Sequence, residues 1–341
     1  MRTETDRAAA AVESLETLTV GVVGARGYVG VELLEIICSH PLLRLEYAVS
    51  RAADGDPIAD HAKASAGGLK FEALSDDEIA DRAVDVVVLA LPDGAAKPYV
   101  EKLESAPKPP RLIVDVSADH RFDDSWVYGL AEHNRHAIAG APRISNPGCY
   151  ATAAQLAVRP ILDMLADTPH CFGVSGYSGA GKKRSSRNDH KALANGVLPY
   201  KLVNHTHERE ITRHLGTPVR FSPHVAPFFR GITLTVQARA KSATSVEAIA
   251  ERLENAYRDC PLIMLSGADT PRVQDVVSKD GAVVGGIAVN PDRPDEIALV
   301  CALDNLRKGA ASQAVQNINL AFGLTELTGL PDAISMAEAT P

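Results

Sequence analysis

The chain has 341 residues, 45% of them hydrophobic and 23% charged, which is the balance of a globular protein with material for two domains. Its formal net charge of −8 argues against nucleic acid or an anionic membrane as the main partner, because both favour a basic face. The five cysteines are widely spaced without a CxxC pair, a pattern that fits neither a disulfide framework nor a zinc site. These features predict a cytoplasmic protein without a membrane segment.

The first half of the chain predicts a parallel sheet that is covered by helices on both faces. Short runs that are apolar throughout alternate with helix-like segments, as is typical of strands buried on both sides. The predicted strands read "LTVGVVG", "LRLEYAVSR", "VDVVVLALP" and "RLIVDVSA", and the helices between them include "VELLEIICSH" and "GAAKPYVEKLES". This half is therefore expected to be an α/β domain of the Rossmann-type, doubly wound class.

The second half of the chain has longer alternating strands and fewer helices. The predicted strands include "HCFGVSGYS", "RGITLTVQARA", "AVVGGIAVN" and "EIALVCAL", and helices are expected around 245–257 and 310–322. Such a pattern indicates an α+β domain with a mixed, largely antiparallel sheet.

A glycine-rich turn follows the first predicted strand. Gly24, Gly27 and Gly30 have GxxGxxG spacing and lie between a strand and a helix. Glycines there allow a tight turn and close approach of the backbone, while the helix N-terminus offers free N–H groups to a pyrophosphate. The position of the motif predicts a dinucleotide site.

The end of the second predicted strand bears on which dinucleotide is bound. An NAD site places a carboxylate there for the ribose 2′-hydroxyl, whereas Ser50 and Arg51 come first in this chain. A basic residue accommodates a 2′-phosphate, so the sequence favours NADP, although Asp54 follows shortly afterwards.

Cys149 stands directly before an alanine-rich helix and directly after Pro147 and Gly148. A helix N-terminus stabilises a thiolate, and we therefore expect a lowered pKa and a reactive sulfur. The other four cysteines lie in apolar runs or beside a proline, as expected of small buried side chains.

The segment "HTHEREI" supplies a candidate base for this cysteine. His207 and Glu210 are three residues apart, so on a helix the carboxylate can reach the imidazole and orient it. His205 is the second candidate base, because it lies two residues before His207 and would point to a different face of a helix. A metal site formed by these three residues remains an alternative, although the segment lacks HExxH spacing.

Two features are candidate anion sites. Arg121 follows the strand "RLIVDVSA" at the edge where doubly wound sheets bind ligands, and its guanidinium could fork onto a carboxylate or phosphate. The loop "SGAGKKRSSR" combines small residues with four cations.

At this point the chain resembles the N-acetyl-γ-glutamyl-phosphate reductases of arginine biosynthesis, which are related to aspartate-semialdehyde dehydrogenases. The segments that carry the resemblance are "VGARGYVG", "VDVSADHR", "SNPGCYATAA", "SGYSGAGKK", "HTHEREI" and "DNLRKGAASQAVQN". In the related dehydrogenases a histidine follows a glycine in a later strand. Here Ile232 follows Gly231, which separates the two families.

The resemblance implies a role for residues in the matching motifs. Cys149 would be the nucleophile and His207 the general acid/base, supported by Glu210. The residues expected to bind substrate are Arg121, Ser145, Asn146, His205 and Lys182. Those expected to bind NADP are Gly24, Arg26, Gly27, Tyr28, Val29, Ser50, Arg51, Pro92, Ser178, Gly179, Ala180, Asn305, Leu306 and Lys308. No metal site is expected.

The resemblance also implies a domain organisation. Residues 18–148 would bind NADP, and residues 149–308 would form the catalytic and oligomerisation domain of a homotetramer or homodimer. The C-terminal helix of 309–341 would return to the first domain, because the segment around 305–317 must reach the nicotinamide. Residues 1–17 would be an N-terminal extension outside the match.

The implied reaction is the NADPH-dependent reduction of an acyl phosphate, N-acetyl-γ-glutamyl phosphate, through a thioester on Cys149. A close alternative is the same chemistry on a one-carbon-longer aminoadipyl or carrier-linked substrate of lysine biosynthesis. Two alternatives from other classes are a non-catalytic NADP-binding sensor and a metallohydrolase that uses the histidines.

Overall fold

The computed structural model describes residues 16–63, 66–331 and 334. Most of the expected N-terminal extension and the end of the C-terminal segment therefore lie outside the described residues. The first sheet has the strands β1 (Leu18–Val23), β2 (Leu43–Val49), β3 (Phe71–Glu72), β4 (Val86–Leu89), β5 (Leu112–Asp115), β6 (Val127–Tyr128) and β7 (Arg143–Ser145). Its helices are α1 (Tyr28–Ser39), α2 (Asp76–Asp81), α3 (Lys97–Ser105) and α4 (Ala131–Ile138).

The first sheet is parallel throughout, in the order β3-β2-β1-β4-β5-β7-β6. The strands β4 and β5 at its centre are buried along their whole length, which explains why their sequences are apolar without alternation. The prediction of a Rossmann-type, doubly wound sheet is confirmed.

The second sheet has the strands β8 (His170–Gly176), β9 (Leu198–Pro199), β10 (Arg220–Ala226), β11 (Ile232–Arg239), β12 (Ile263–Leu265), β13 (Ala282–Val289) and β14 (Glu296–Leu303). Its helices are α5 (Cys149–Val158), α6 (His190–Leu193), α7 (Thr206–Leu215), α8 (Val246–Tyr257) and α9 (Val273–Val276). The strand order is β12-β13-β14-β11-β8-β10-β9. Only the pairs β12–β13 and β8–β10 are parallel, so the predicted mixed, largely antiparallel sheet is confirmed.

After β14 the chain returns to the first domain. Helix α10 (Ala311–Ala321) buries Val315 and Ile318 in the same apolar core as Leu33 and Leu34 of α1. The helix is shorter than the segment 309–341, because Gly323 adopts a positive φ of 70° just beyond its end and stops it.

A cluster of charges joins the two domains behind the glycine turn. The Glu32 carboxylate on α1 accepts hydrogen bonds from Arg230 at 2.7 Å and from Arg307 at 2.5 Å. Arg230 also donates to Asp304 at 2.6 Å. Both arginines precede or follow strands of the second sheet, so this cluster fixes α1 relative to that sheet.

Candidate active site

The glycine turn forms the strand-to-helix connection that a dinucleotide needs. Gly24 has φ +83°, and a Cβ there would lie 2.2 Å from the Ala90 carbonyl oxygen. A Cβ on Gly30 would lie 2.5 Å from the Ala25 oxygen. Helix α1 begins with no side chain capping its N-terminus. The close backbone approach and the uncapped helix start fit a dinucleotide pyrophosphate.

The other residues expected at the nucleotide lie at the same edge of the first sheet. Arg26, Tyr28 and Val29 belong to the turn and the first turn of α1. Ser50 follows β2 and Arg51 is exposed just after it, while the exposed Pro92 follows β4. Since β1, β2 and β4 are neighbouring parallel strands, their C-terminal ends face one edge.

Lys182 lies at the glycine turn and not beside Cys149. Its ammonium donates a hydrogen bond to the Arg26 carbonyl oxygen at 2.6 Å and lies 5.0 Å from the centre of the Tyr28 ring. Lys182 thus contacts the turn expected to bind the nucleotide, and its expected contact with the acyl substrate stays a prediction. The sequence missed this because the loop that carries Lys182 belongs to the second domain.

Cys149 is the first residue of α5, as predicted, but its pKa is not lowered. Burial raises the pKa of its thiol to about 11, and the Arg121 charge and backbone N–H groups at the helix start offset burial only in part. The expected thiolate is thus a thiol in this structure, because desolvation outweighs the helix terminus.

Cys149 and His207 line one small cavity of about 30 Å³. The other residues that line it are Tyr150, Ser175, Gly176, Gly179, Ala180, Arg187, Tyr200 and Val225. The cavity is therefore bounded by the starts of α5 and α7 and by residues of β8 and β10.

The His207 ring lies against the residue that precedes the cysteine. A Cβ on Gly148 would lie 2.3 Å from His207 Nε2, so only glycine fits there. Burial lowers the pKa of His207 to about 3, and the charges of Arg121 and Lys201 add to this effect. The imidazole is therefore neutral at physiological pH, and a neutral ring can accept the thiol proton.

Glu210 does not hydrogen-bond His207, which corrects the expected pair. Its carboxylate is fully buried, and Oε1 accepts the backbone N–H of Gly148 and the hydroxyl of Tyr128, both at 2.8 Å. Oε2 accepts Arg121 Nη1 at 3.1 Å. The i, i+3 spacing does bring His207 and Glu210 to one face of α7, but these three donors occupy the carboxylate.

Arg121 is held inside the protein. It donates from Nε to the Asn146 carbonyl at 2.9 Å, from Nη2 to the Val116 carbonyl at 2.8 Å, and from Nη1 to Glu210. Three N–H groups of the guanidinium, which was expected to bind a substrate anion, therefore bind protein acceptors. Its charge still lies beside Gly148, where it favours the Cys149 thiolate.

Ser145 and Asn146 are buried and do not line the cavity. The Asn146 amide donates to the Ala310 carbonyl at 3.1 Å and accepts from Asn317 of α10 at 3.1 Å. The Ser145 hydroxyl points to the Val127 carbonyl at 3.5 Å. These contacts anchor the segment before Cys149, and the substrate contacts expected of both residues stay predictions.

His205 caps helix α7. Its Nδ1 accepts the backbone N–H of His207 at 3.1 Å, and its ring centre lies 5.0 Å from that of His207. Within residues 16–63, 66–331 and 334, no three side chains of the metal-binding types converge. With Glu210 bound to Arg121 and Gly148, the geometry gives no support to the metal site considered for His205, His207 and Glu210.

The residues expected at the nicotinamide divide into two groups. Gly179 and Ala180 line the cavity, and the Ser178 hydroxyl accepts the Asn305 amide at 2.9 Å. Leu306 is buried and donates its backbone N–H to Asp304. Lys308 is fully buried and donates to Glu132 at 2.6 Å and to Gln316 at 2.7 Å, which removes it from any cofactor contact.

Tyr128, Tyr200 and Arg187 are residues of the site that the sequence did not single out. Tyr128 holds Glu210, and the other two line the cavity. Tyr128 lies in the segment "YGLAE", but no spacing linked it to Glu210, 82 positions away. Arg187 is one of four cations in its loop, and sequence spacing did not distinguish it.

Comparison with known proteins identifies the family. Residues 19–141 match the family described as semialdehyde dehydrogenase, NAD binding domain, and residues 149–305 match semialdehyde dehydrogenase, dimerisation domain. The N-acetyl-gamma-glutamyl-phosphate reductase of Stenotrophomonas maltophilia is 50% identical over 315 residues, which cover 92% of this chain and 98% of that protein. The chain is an N-acetyl-γ-glutamyl-phosphate reductase family member. The reductase of Xylella fastidiosa is 46% identical and covers 93% of this chain and 96% of its own.

Solved structures show how widely this reductase fold is shared. Aspartate semialdehyde dehydrogenase II of Vibrio cholerae aligns with a TM-score of 0.73 at 21% identity, over 89% of this chain and 98% of that chain. The Candida albicans enzyme with NADP has a TM-score of 0.66 at 15% identity, over 89% of this chain and 98% of that chain. At these identities the likeness concerns the fold. Within the described residues, none of the helices combines the length and apolar character that a membrane crossing requires.

Proposed function

We propose that this reductase converts N-acetyl-γ-glutamyl phosphate to N-acetylglutamate γ-semialdehyde and phosphate with NADPH. The observation that carries the proposal is the shared cavity of Cys149 and His207 in the second domain. A thiol that can form a thioester and a neutral imidazole that can take its proton are the groups that reduction of an acyl phosphate requires.

The first half of the reaction is the transfer of the acyl group to Cys149. His207 accepts the thiol proton as the sulfur attacks the acyl carbon, and it passes that proton to the phosphate as the bond between the acyl carbon and the phosphate oxygen breaks. Arg121 lies beside Gly148 and stabilises the negative charge on sulfur during this step. Glu210 is a positioning residue, since it binds Arg121 and the Gly148 N–H but none of the reacting atoms.

The second half of the reaction uses NADPH, which supplies a hydride when bound at the glycine turn. The residues proposed to hold it are Gly24, Arg26, Gly27, Tyr28, Val29, Ser50, Arg51 and Lys182. Gly179 and Ala180, which line the cavity, would lie at the nicotinamide end. A proton taken up from solvent through His207 reaches the Cys149 sulfur as the semialdehyde leaves, so the thiol is regenerated.

We assign NADP binding to residues 18–148 with the returning segment 309–341, and acyl transfer to residues 149–308. The second domain matches a dimerisation domain, and we propose that this reductase is a homodimer or homotetramer assembled through that domain. We place the reaction in the cytoplasm, where thiols such as Cys149 stay reduced.

The test is an assay in the oxidative direction with N-acetylglutamate γ-semialdehyde, phosphate and NADP. We expect NADPH to form only when all three are present, and faster than with the one-carbon-longer semialdehyde or aspartate semialdehyde. A preference for either of those two substrates would contradict the proposed substrate. No turnover of any aldehyde, with NADP still bound, would favour the nucleotide-binding sensor.

A further inference from the structure

The cavity around Cys149 contains a cation that the reaction described above does not use. Among the described residues that line the cavity, Arg187 alone carries a fixed positive charge. It belongs to the loop between the 3₁₀ turn Tyr177–Ala180 and helix α6. Its side chain is half-buried, whereas Lys183 and Arg184 in the same loop are exposed.

The loop is built to hold Arg187 at this position. The Asn188 side-chain amide donates to the Gly181 carbonyl at 2.7 Å and to the Lys183 carbonyl at 2.8 Å. Its oxygen accepts the backbone N–H of Ser185 at 2.8 Å. These three bonds close the loop on itself directly beside Arg187.

The guanidinium of Arg187 lies over a ring and not against a carboxylate. Its Cζ is 5.0 Å from the centre of the Tyr200 ring, and Tyr200 lines the same cavity. In the part of the chain that the structure describes, no carboxylate forms an ion pair with it. Arg187 also hydrogen-bonds the Tyr200 side chain, so the guanidinium is held at this ring while its remaining N–H groups can bind an anion.

The proposed substrate has two anionic groups, the acyl phosphate at one end and the α-carboxylate at the other. Arg121 lies next to the reacting end, beside Gly148, and three of its N–H groups already bind protein acceptors. The second anion therefore needs a different donor in the same cavity. A planar guanidinium is the group that binds a carboxylate through two parallel hydrogen bonds.

We infer that Arg187 binds the α-carboxylate of the substrate and thereby selects acyl phosphates that carry a carboxylate at the far end. This inference rests on the proposed reduction of N-acetyl-γ-glutamyl phosphate. The loop brings Arg187 from the surface to the cavity. A substrate without the carboxylate makes no ion pair with Arg187, which then stays at Tyr200, so this residue adds nothing to the affinity for such a substrate.

The test compares two aldehydes in the oxidative assay, N-acetylglutamate γ-semialdehyde and 4-acetamidobutanal, which is the same molecule without its carboxylate. For Arg187→Met we expect kcat/KM to fall about 100-fold with the first aldehyde and to stay unchanged with the second. Arg187→Lys should recover part of the loss, because it restores the charge without the fork. Arg184→Met, an exposed cation of the same loop, is the matched control and should behave like the natural protein.

The outcomes separate the inference from the proposed function. An equal loss with both aldehydes, or the same selective loss in Arg184→Met, overturns the role of Arg187 as the carboxylate site. The role of Arg187 is also overturned if Arg187→Met keeps the natural protein's ratio of kcat/KM between the two aldehydes and its thermal unfolding temperature. If the natural protein fails to oxidise N-acetylglutamate γ-semialdehyde and oxidises another aldehyde, the proposed function is wrong and the inference falls with it.

Discussion

Glu210 and Gly148 are joined by a hydrogen bond between two helices: Oε1 of the carboxylate on α7 accepts the backbone N–H that precedes α5, at 2.8 Å. The same carboxylate binds Arg121 and Tyr128. One fully buried acid therefore fixes the residue before Cys149 and the cation beside it. His207 reaches Gly148 from the same helix, so α7 contacts the start of α5 through two of its side chains.

The ion pair between Arg121 and Glu210 predicts non-additive stability. Glu210→Gln should lower the free energy of unfolding by about 3–5 kcal/mol, because it leaves a buried guanidinium without its partner. Arg121→Met added to Glu210→Gln should cost clearly less than the sum of the two single changes. Denaturant unfolding measures all three variants, with the exposed Glu251→Gln as control. Strict additivity would contradict the pairing.

The cysteine chemistry predicts the behaviour of Cys149→Ser. We expect kcat to fall by about 10⁴-fold or more, since a serine hydroxyl is far less acidic than a thiol and an ester accepts hydride less readily than a thioester. Binding of NADPH, measured by calorimetry, should stay unchanged because Cys149 lies outside the glycine turn. Cys38→Ser changes a half-buried cysteine far along α1 and should keep full activity. Substantial activity in Cys149→Ser would exclude a thioester.

The glycine turn predicts a specific loss in Gly24→Ala. The new Cβ would lie 2.2 Å from the Ala90 carbonyl oxygen, so the turn must shift where the pyrophosphate binds. We expect the Kd for NADPH to rise at least about tenfold, in line with loss of an anion-binding turn. Gly140 also has a positive φ, of 74°, but no atoms near its Cβ position. Gly140→Ala should therefore cost about 1 kcal/mol of stability without weakening NADPH binding.

The position of Lys182 predicts that the second domain contributes to the affinity for the nucleotide. Its ammonium is held at the Arg26 carbonyl, within the turn proposed for the phosphates. Lys182→Met should raise the Kd for NADPH several-fold and reduce its salt dependence, because one cation near the phosphates is lost. Calorimetry at two salt concentrations checks this. If the exposed Lys183→Met has the same effect, the contribution is only general charge and the specific position of Lys182 is refuted.

The histidine that caps α7 predicts how stability depends on pH. Burial lowers the pKa of His205 to about 3, and its Nδ1 must stay unprotonated to accept the His207 N–H. An unfolded histidine takes up a proton below about pH 6.5, so this stabilisation is complete above that pH and is lost as the pH falls towards 3.

His205→Asn should therefore weaken the acid sensitivity, since asparagine caps a helix without titrating. Between pH 6.5 and 4, the natural protein should lose more free energy of unfolding than the variant, by up to about 1.4 kcal/mol per pH unit. Urea unfolding at several pH values measures the difference. The exposed His136→Asn is the control and should follow the natural protein. Parallel curves for all three proteins would show that His205 titrates normally.

The sequence determined the fold class and the position of Cys149, the proposed nucleophile, at the start of a helix. The strands β4 and β5 are apolar at every position because both faces are covered, and the glycines of the turn are required by contacts between chain neighbours or adjacent strands. Such signals are local or periodic, so they can be read from one sequence. The start of α5 at Cys149 also follows from the short run Pro147 and Gly148 before it.

The tertiary structure alone decided which side chains are partners in the site. Glu210 binds Arg121 across 89 positions of sequence, and Lys182 reaches Arg26 across 156. Lys308, which was expected at the cofactor, donates a hydrogen bond to Glu132, 176 positions away. No periodicity encodes contacts of this range, because they depend on how the two domains and the returning α10 pack.

The protonation state of Cys149 also depends on the tertiary structure. The helix start alone predicts a lowered pKa for Cys149, since its N–H groups stabilise a thiolate. The structure encloses the sulfur among protein atoms, and that desolvation raises the pKa to about 11. Sequence fixes which groups can react, whereas burial and neighbouring charges from distant segments decide how readily they ionise.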